Sequence, residues 1–425
     1  MLKVPISFFG RSFLGGRSYW PIFILCVYAV YLLCAMTLPM VGKVASGLLL
    51  LLGFVGLYRL KDRSYRLAVE EKWLLASFAL FSIVSIVSFL YWPQSREARM
   101  HLEDYATFIM LLPLYLLLRQ FRLHLTCMLA ILAVTAIELG VISLVSNDAR
   151  PSGAVNPMRY GNISLVLAVI PLIAILVIRN MAFTLKVLLM AASVLALAAC
   201  FLTQSRGALL SIPVLAFICS VYLFWAGHPR YLIFLVLGLI LAVAVASQQP
   251  RVQGTVTSFE RYLQGDTSSA LGARFDMFRV AGRLIQERPV WGHGLNSYSS
   301  KATEIRKNTA GMNPEVGVWA NPHNEILQVM VEKGVIGLIT LLFLFAAPGY
   351  LFLQALSKAD DSGAGQQVKF YASCGLGLLV VYAVAGQSVA LFEHDVFNHF
   401  FALMVLMFAS QVRVIGYIEG GGRGF

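Results

Sequence analysis

Apolar runs about as long as a bilayer is thick recur along nearly the whole chain, with almost no charge inside them. A helix of about 20 residues crosses the hydrocarbon core, and only helices or closed barrels satisfy their backbone groups there. Twelve such stretches can be drawn, near 20–40, 44–58, 73–92, 105–118, 124–145, 160–178, 182–203, 207–226, 231–248, 334–356, 369–391 and 396–417. The second and fourth are the shortest. Composition agrees, with 59% hydrophobic and 13% charged residues, roughly half the charged share of a soluble domain. The fold class expected is therefore an all-α polytopic membrane protein with about 12 transmembrane helices. No internal repeat is visible. The run from Trp20 is long enough to span and is not followed by a small-residue cleavage site, so it is expected to stay as the first span.

The basic residues orient this array. With the N-terminus inside, one set of loops carries Arg59, Lys61, Arg63, Arg66, Lys72, Arg119, Arg122, Arg179, Lys186, Arg230, Lys358 and Lys369. With both termini that side holds about 17 Lys and Arg, against about six in the short loops opposite. Both termini are expected to be cytoplasmic. The net charge of +12 is thus accounted for by membrane topology, and no nucleic-acid partner is expected. Spans 1–9 form a membrane domain over 1–248. Residues 249–333 form a loop subdomain on the outer face, and 334–425 hold spans 10–12 with a short cytoplasmic tail. Within the loop, Ala273 to Glu287 has helical periodicity. Pro289 to Gly294 breaks it, and 295–320 reads as irregular.

Polar residues on the outer side stand out against this background. Asn321-Pro322-His323-Asn324 precedes an apolar stripe of Ile326, Leu327 and Met330. Asn321 is expected to cap a helix with Pro322 at its first position. His323 would then lie in the first turn, where the helix field favours the neutral imidazole that a general base needs. Arg206 stands at a tight turn between two apolar runs, and a headgroup anchor or an anion ligand fits it equally. Arg274 has no acidic residue three or four positions on, unlike Arg279, which can pair with Asp276, and Arg283, which can pair with Glu287. It is therefore expected to be freer to hold an external anion. Arg150 lies on another outer loop, as a contributor to the same anion site or as part of a surface turn. Two guanidinium groups and a neutral histidine suit a diphosphate ester.

Other polar groups read as structural. Glu393-His394-Asp395 is expected to be a solvated turn, since three successive side chains share no helix face. His293, between two glycines, reads as a loop histidine. His101, His124 and His228 lie near helix ends, and His399 reads as a helix–helix hydrogen-bonding group. The six cysteines lie in apolar runs with no CxxC pair. There is no Asp-x-Asp, no GxxxxGK[ST] and no HExxH.

Four pieces in order resemble the O-antigen ligases, within a superfamily that includes O-antigen polymerases and protein O-oligosaccharyltransferases. They are Gly153 to Gly161, Ser205-Arg206-Gly207, Arg274 leading to Pro289-x-x-Gly292-x-Gly294, and His323-Asn324…Gly334…Gly337. Tyr298 departs from the Phe often found after Gly294 in that pattern. The resemblance implies a lipid-carrier-dependent glycosyltransferase of the bacterial inner membrane, acting on its periplasmic side. Its donor would be an undecaprenyl diphosphate-linked glycan and its acceptor a sugar hydroxyl of lipid A–core, in lipopolysaccharide assembly. His323 would activate the acceptor, Arg206 and Arg274 would bind the diphosphate with Arg150 beside them, and Asn321 and Asn324 would support the base. No metal and no other cofactor is expected. An O-antigen polymerase shares this loop architecture. A protein O-oligosaccharyltransferase is less favoured, because the chain ends about eight residues after the last expected span. A non-enzymatic lipid-linked glycan transporter would place charge near the bilayer midplane, whereas the runs at 20–40, 160–178 and 231–248 carry none.

Overall fold

The computed structural model describes residues 19–60, 67–92, 96–225, 250–264 and 266–419, with isolated positions between 236 and 248. The expected span at 231–248, the loop residues 61–66, His228 and Arg230 lie largely or wholly outside the described residues. Among the described residues every regular element is a helix. Nine helices among the described residues are long and apolar enough to cross a membrane, with two shorter apolar ones, Trp20–Cys34 and Arg206–Cys219. The protein is a multi-pass, all-α membrane protein.

The first half contains α1 (Trp20–Cys34), α2 (Pro39–Leu60), α3 (Val69–Tyr91), α4 (Arg96–Met110), α5 (Leu112–Leu118), α6 (Leu125–Val145), α7 (Pro157–Val177), α8 (Phe183–Leu202) and α9 (Arg206–Trp225). The stretch expected to be short at 44–58 is in fact the 22-residue α2. The expected span at 105–118 is two helices that meet at Leu111. Pro113 lies in the first turn of α5, where its missing N–H is tolerated.

From the expected loop onward come α10 (Pro250–Leu263), α11 (Ala270–Glu287), α12 (Tyr298–Lys307), α13 (Glu325–Lys358), α14 (Gly363–Ala385) and α15 (Asp395–Glu419). The periodicity of 273–287 is the helix α11, started three residues earlier by Ser269, whose hydroxyl accepts from Gly272 N at 3.1 Å. The segment 295–320 is not irregular throughout, since it contains α12. Tyr298 and Ala302 of α12, Met277 and Leu284 of α11, Val316 and Val331 close a small second core, separate from that of the membrane helices. The span expected from 334 follows a break at Gly334 within α13, whose first part starts at Glu325, and the span expected to run to 391 ends at Ala385. The Gly386 carbonyl is taken by Glu325 N at 2.7 Å, which turns the chain out of the helix into a loop over 386–394.

α15 is the most enclosed span, with 89% of its apolar window buried. Phe401 of α15 packs on Phe392 and Tyr382 with ring centroids 5.3 and 5.0 Å apart. The connections then gather into two groups. In one, Ala154 N bonds Met36 O at 3.0 Å, Arg150 Nε bonds Thr203 O at 3.0 Å, and Arg159 bonds His394 Nδ1 at 2.9 Å. In the other, Arg179 pairs with Asp361 at 2.8 Å and Arg413 with Glu70 at 2.9 Å. The helices of the expected loop join the first group through Arg274 and Ser388, so that group holds His323 and the three candidate cations Arg150, Arg206 and Arg274.

Candidate active site

The segment 321–325 is built by side-chain capping, but not as its sequence suggests. The helix starts at Glu325, and Asn324 is the cap, accepting from Leu327 N at 3.0 Å. Asn321 instead closes a turn before the helix. Its Oδ1 accepts from His323 N at 3.0 Å and its Nδ2 donates to Glu393 Oε2 at 2.7 Å. Asn-Pro favours turn initiation as readily as a helix start, and the buried Glu393 selects the turn. Pro322 is therefore not a first helical residue. His323 lies outside the first turn, with a left-handed φ of 55°.

The His323 imidazole is neutral at pH 7, as expected, through its burial rather than a place in the first helical turn. Burial, and then the Arg274 charge, push its pKa down to about 4. Arg274, in the second turn of α11, also donates to the Ser388 carbonyl at 3.5 Å. Ser388 belongs to loop 386–394, which is laced to the His323 segment. Glu325 Oε2 accepts from Leu391 N at 2.5 Å and Phe392 N at 3.1 Å, and Asn324 Nδ2 reaches Gln387 Oε1 at 3.3 Å.

Arg206 opens α9 against the same loop. A Cβ on the next residue, Gly207, would sit 3.3 Å from Ala385 Cα and closer still to Ser388 Oγ. Arg150 holds the turn before Arg206 through its bond to Thr203 O. Arg274 and Asn324 thus bond the neighbouring residues Ser388 and Gln387, the residue after Arg206 packs on Ser388, and His323 directly precedes Asn324. Arg150 stands behind the Arg206 turn and Asn321 behind His323. Arg279 and Arg283 keep their expected helical partners, Asp276 at 3.4 Å and Glu287 at 3.5 Å.

Glu393-His394-Asp395 is not a solvated turn. Glu393 is 2% exposed, and burial raises its carboxyl well above the usual range. Besides Asn321 it accepts from Gln328 Nε2, whose amide also reaches Glu332 Oε1 at 2.8 Å. His394 is pushed down to about 3 by burial and by Arg159, and Asp395 pairs with Lys43 at 2.6 Å. Sequence reasoning missed Glu393, Gln387 and Ser388, because only their distant partners identify them.

The glycines in the same stretch serve packing. Gly334 breaks α13 with φ 63° and ψ −158°, a region that is essentially glycine-only. The freed groups of the break are met by 289–294: Val335 N bonds Pro289 O at 2.8 Å, His293 N bonds Val331 O at 2.7 Å and Gly294 N bonds Glu332 O at 3.0 Å. His293 is a loop histidine, its Nε2 bonded to Leu284 O at 2.8 Å. A Cβ at Gly334 would overlap the Val290 carbonyl, whereas one at Gly377 meets nothing nearer than 3.7 Å. Gly334→Ala is therefore expected to cost at least about 1–3 kcal/mol and to lower the thermal midpoint and folded yield in detergent. Gly377→Ala is expected to leave both unchanged. Equal melting of the two variants would show that the break is not needed for packing.

The architecture and its polar end define a class: a polytopic helical membrane protein with arginines and a neutral imidazole gathered among the connections at one end. Residues 191–342 match the family described as O-antigen ligase, and this segment supports the O-antigen ligase family for the chain. The match takes in Arg206, Arg274, Asn321, His323 and Asn324, and leaves out Arg150 and loop 386–394. An uncharacterized protein of Haemophilus influenzae is 22% identical over 348 residues, covering 77% of this chain and 84% of the relative. The family indicates a glycosyltransferase-like enzyme with a lipid-linked glycan and a membrane as its setting.

Proposed function

We propose that the protein is an O-antigen ligase. It transfers a glycan from undecaprenyl diphosphate to a sugar hydroxyl of lipid A–core on the periplasmic face of the bacterial inner membrane, without a metal. Twelve spans, cytoplasmic termini and the three-part division at 248 and 333 belong to the same reading. The observation that carries it is the meeting of Arg274, the turn that holds His323 and the start of α9 at Arg206 on one loop, 386–394.

In this mechanism Arg206 and Arg274 bind the diphosphate oxygens of the donor, and Arg150 keeps the Arg206 turn in place. The acceptor hydroxyl gives its proton to the neutral His323 imidazole as its oxygen attacks the anomeric carbon. The bond from that carbon to the diphosphate breaks, and the electron pair leaves with undecaprenyl diphosphate. The arginines stabilise the charge that develops there. The proton on His323 then passes to water. Asn321, held by Glu393, and Asn324, at the helix start, keep His323 in its turn.

The test is transfer by purified protein from a lipid-linked donor to lipid A–core in the presence of a chelator. Elongation of a second lipid-linked glycan, with lipid A–core untouched, would make the protein a polymerase. Absence of any transfer with active donor would reject both.

The pH dependence carries a further expectation. The base must be neutral, and in the free protein its pKa lies at about 4. The acid limb of kcat/KM, which reports the free enzyme, is therefore expected to rise through pH about 4 and then level. Bound diphosphate offsets the Arg274 charge and favours the protonated imidazole. The acid limb of kcat is accordingly expected at higher pH than that of kcat/KM, a comparison that pH–rate profiles at saturating and limiting donor make directly. Coincident limbs would separate His323 from the diphosphate site.

A further inference from the structure

Beside the imidazole of His323 stands the indole of Trp319, with ring centroids 5.8 Å apart and planes tilted by 55°. The residue is 49% exposed. A large aromatic surface left open next to polar groups is a common feature of binding sites, where one face takes an apolar partner and the edge stays wet.

The turn that carries Trp319 is held from below. The Gly317 carbonyl accepts from Ser299 Oγ at 2.7 Å and from Thr303 Oγ1 at 3.2 Å, both on α12. Asn313, which starts the turn, accepts from Glu315 N at 2.9 Å and donates its own N–H to the buried Asp276 at 3.0 Å. Asp276 lies on α11, two residues after Arg274. The indole is thus fixed to the helix that supplies the candidate diphosphate ligand, and through His323 to the candidate base.

The chemistry of the surroundings selects the partner. Lys301 and Glu304 on the supporting helix form an ion pair at 3.7 Å with side chains 46% and 68% exposed. The helix that supports the turn therefore has a solvated, charged outer face, and an element of that kind disfavours a lipid chain as the occupant. A pyranose fits, because the C–H groups of its apolar face carry partial positive charge and meet the negative face of an indole, while its hydroxyls stay hydrated or reach polar neighbours.

We propose that Trp319 is the platform for the acceptor sugar. The pyranose stacks on the open indole, and its position there sets which hydroxyl is presented to His323. The assignment rests on the ligase reading and adds to it a residue that selects the acceptor.

The test is steady-state transfer at saturating donor with lipid A–core varied, for wild type, Trp319→Ala, Trp319→Leu and Trp319→Phe. Trp291→Ala serves as a second exposed indole, 55% exposed on the 289–294 segment. Loss of the aromatic face is expected to raise the acceptor KM about tenfold in the Ala and Leu variants. Phe is expected to restore most of it, with the donor KM and thermal midpoint unchanged in all. An unchanged acceptor KM, an equal rise in Trp291→Ala, or a shift confined to donor KM and thermal stability would overturn the proposal; the last two are what a membrane-interface anchor would give. Lipid-free core oligosaccharide is titrated in parallel. If wild type shows no transfer, the ligase reading fails, yet weaker oligosaccharide binding by Trp319→Ala still supports the platform, and equal or absent binding overturns it.

Discussion

His323→Asn is expected to lower glycan transfer by about 10²–10⁴-fold while folded protein remains in the membrane. Asn is the informative replacement because His323 has φ 55°, and Asn accepts that conformation more readily than Ala does. The variant keeps a polar side chain and the backbone N–H that bonds Asn321 at 3.0 Å, and removes the basic nitrogen. Donor binding is expected to persist, since the imidazole it replaces is neutral and lends no charge to the diphosphate. The comparison is initial transfer rate against donor affinity on equal amounts of monodisperse protein. A variant that binds donor and transfers at the wild-type rate would remove His323 from the proton-transfer step. One that fails to accumulate would point instead to the structural role of the 321–325 turn.

The helices were legible because a bilayer imposes a local demand, a stretch of apolar residues of fixed length, which composition reveals without knowledge of the neighbours. Their breaks were less legible. Pro113 lies inside an apolar run that hydropathy alone reads through, and only the docking of 289–294 explains why the chain turns at Gly334, where the expected span begins. Arg206, Arg274 and His323 could be picked out as rare polar groups at the ends of apolar runs. What they touch could not. Arg274 reads as freer because it has no acid three or four residues on, and its carbonyl partner, Ser388, is 114 residues away. Asn321 satisfied the local rules for a helix cap equally well. Glu393, 72 residues on, decides in favour of the turn. The same distance hid Glu393 itself, since a charged triplet before a span looks solvated until its buried partners are known.

Arg206 and Arg274 are expected to follow the order Arg above Lys above Ala in transfer, with Ala costing about 10²–10³-fold at either position. The ordering separates geometry from charge. Lys preserves the positive charge that faces a developing diphosphate, but it loses the planar fork that holds two oxygens together. If charge alone mattered, Lys would restore the rate. At Arg274 a second effect runs alongside, because its charge helps to hold the His323 pKa down at about 4. Arg274→Ala is therefore expected to move the acid limb of kcat/KM upward as well as to weaken donor binding. Burial and Arg274 account for the His323 shift, so Arg206→Ala is expected to weaken donor binding with that limb in place. Arg279→Ala is the control on the same helix, with an exposed side chain paired to Asp276 at 3.4 Å, and it is expected to transfer at nearly the wild-type rate. Donor affinity and pH–rate profiles on matched folded protein decide the matter. Variants at 206 and 274 that behave like Arg279→Ala would mean that both arginines serve packing alone, Arg274 through Ser388 and Arg206 through the start of α9.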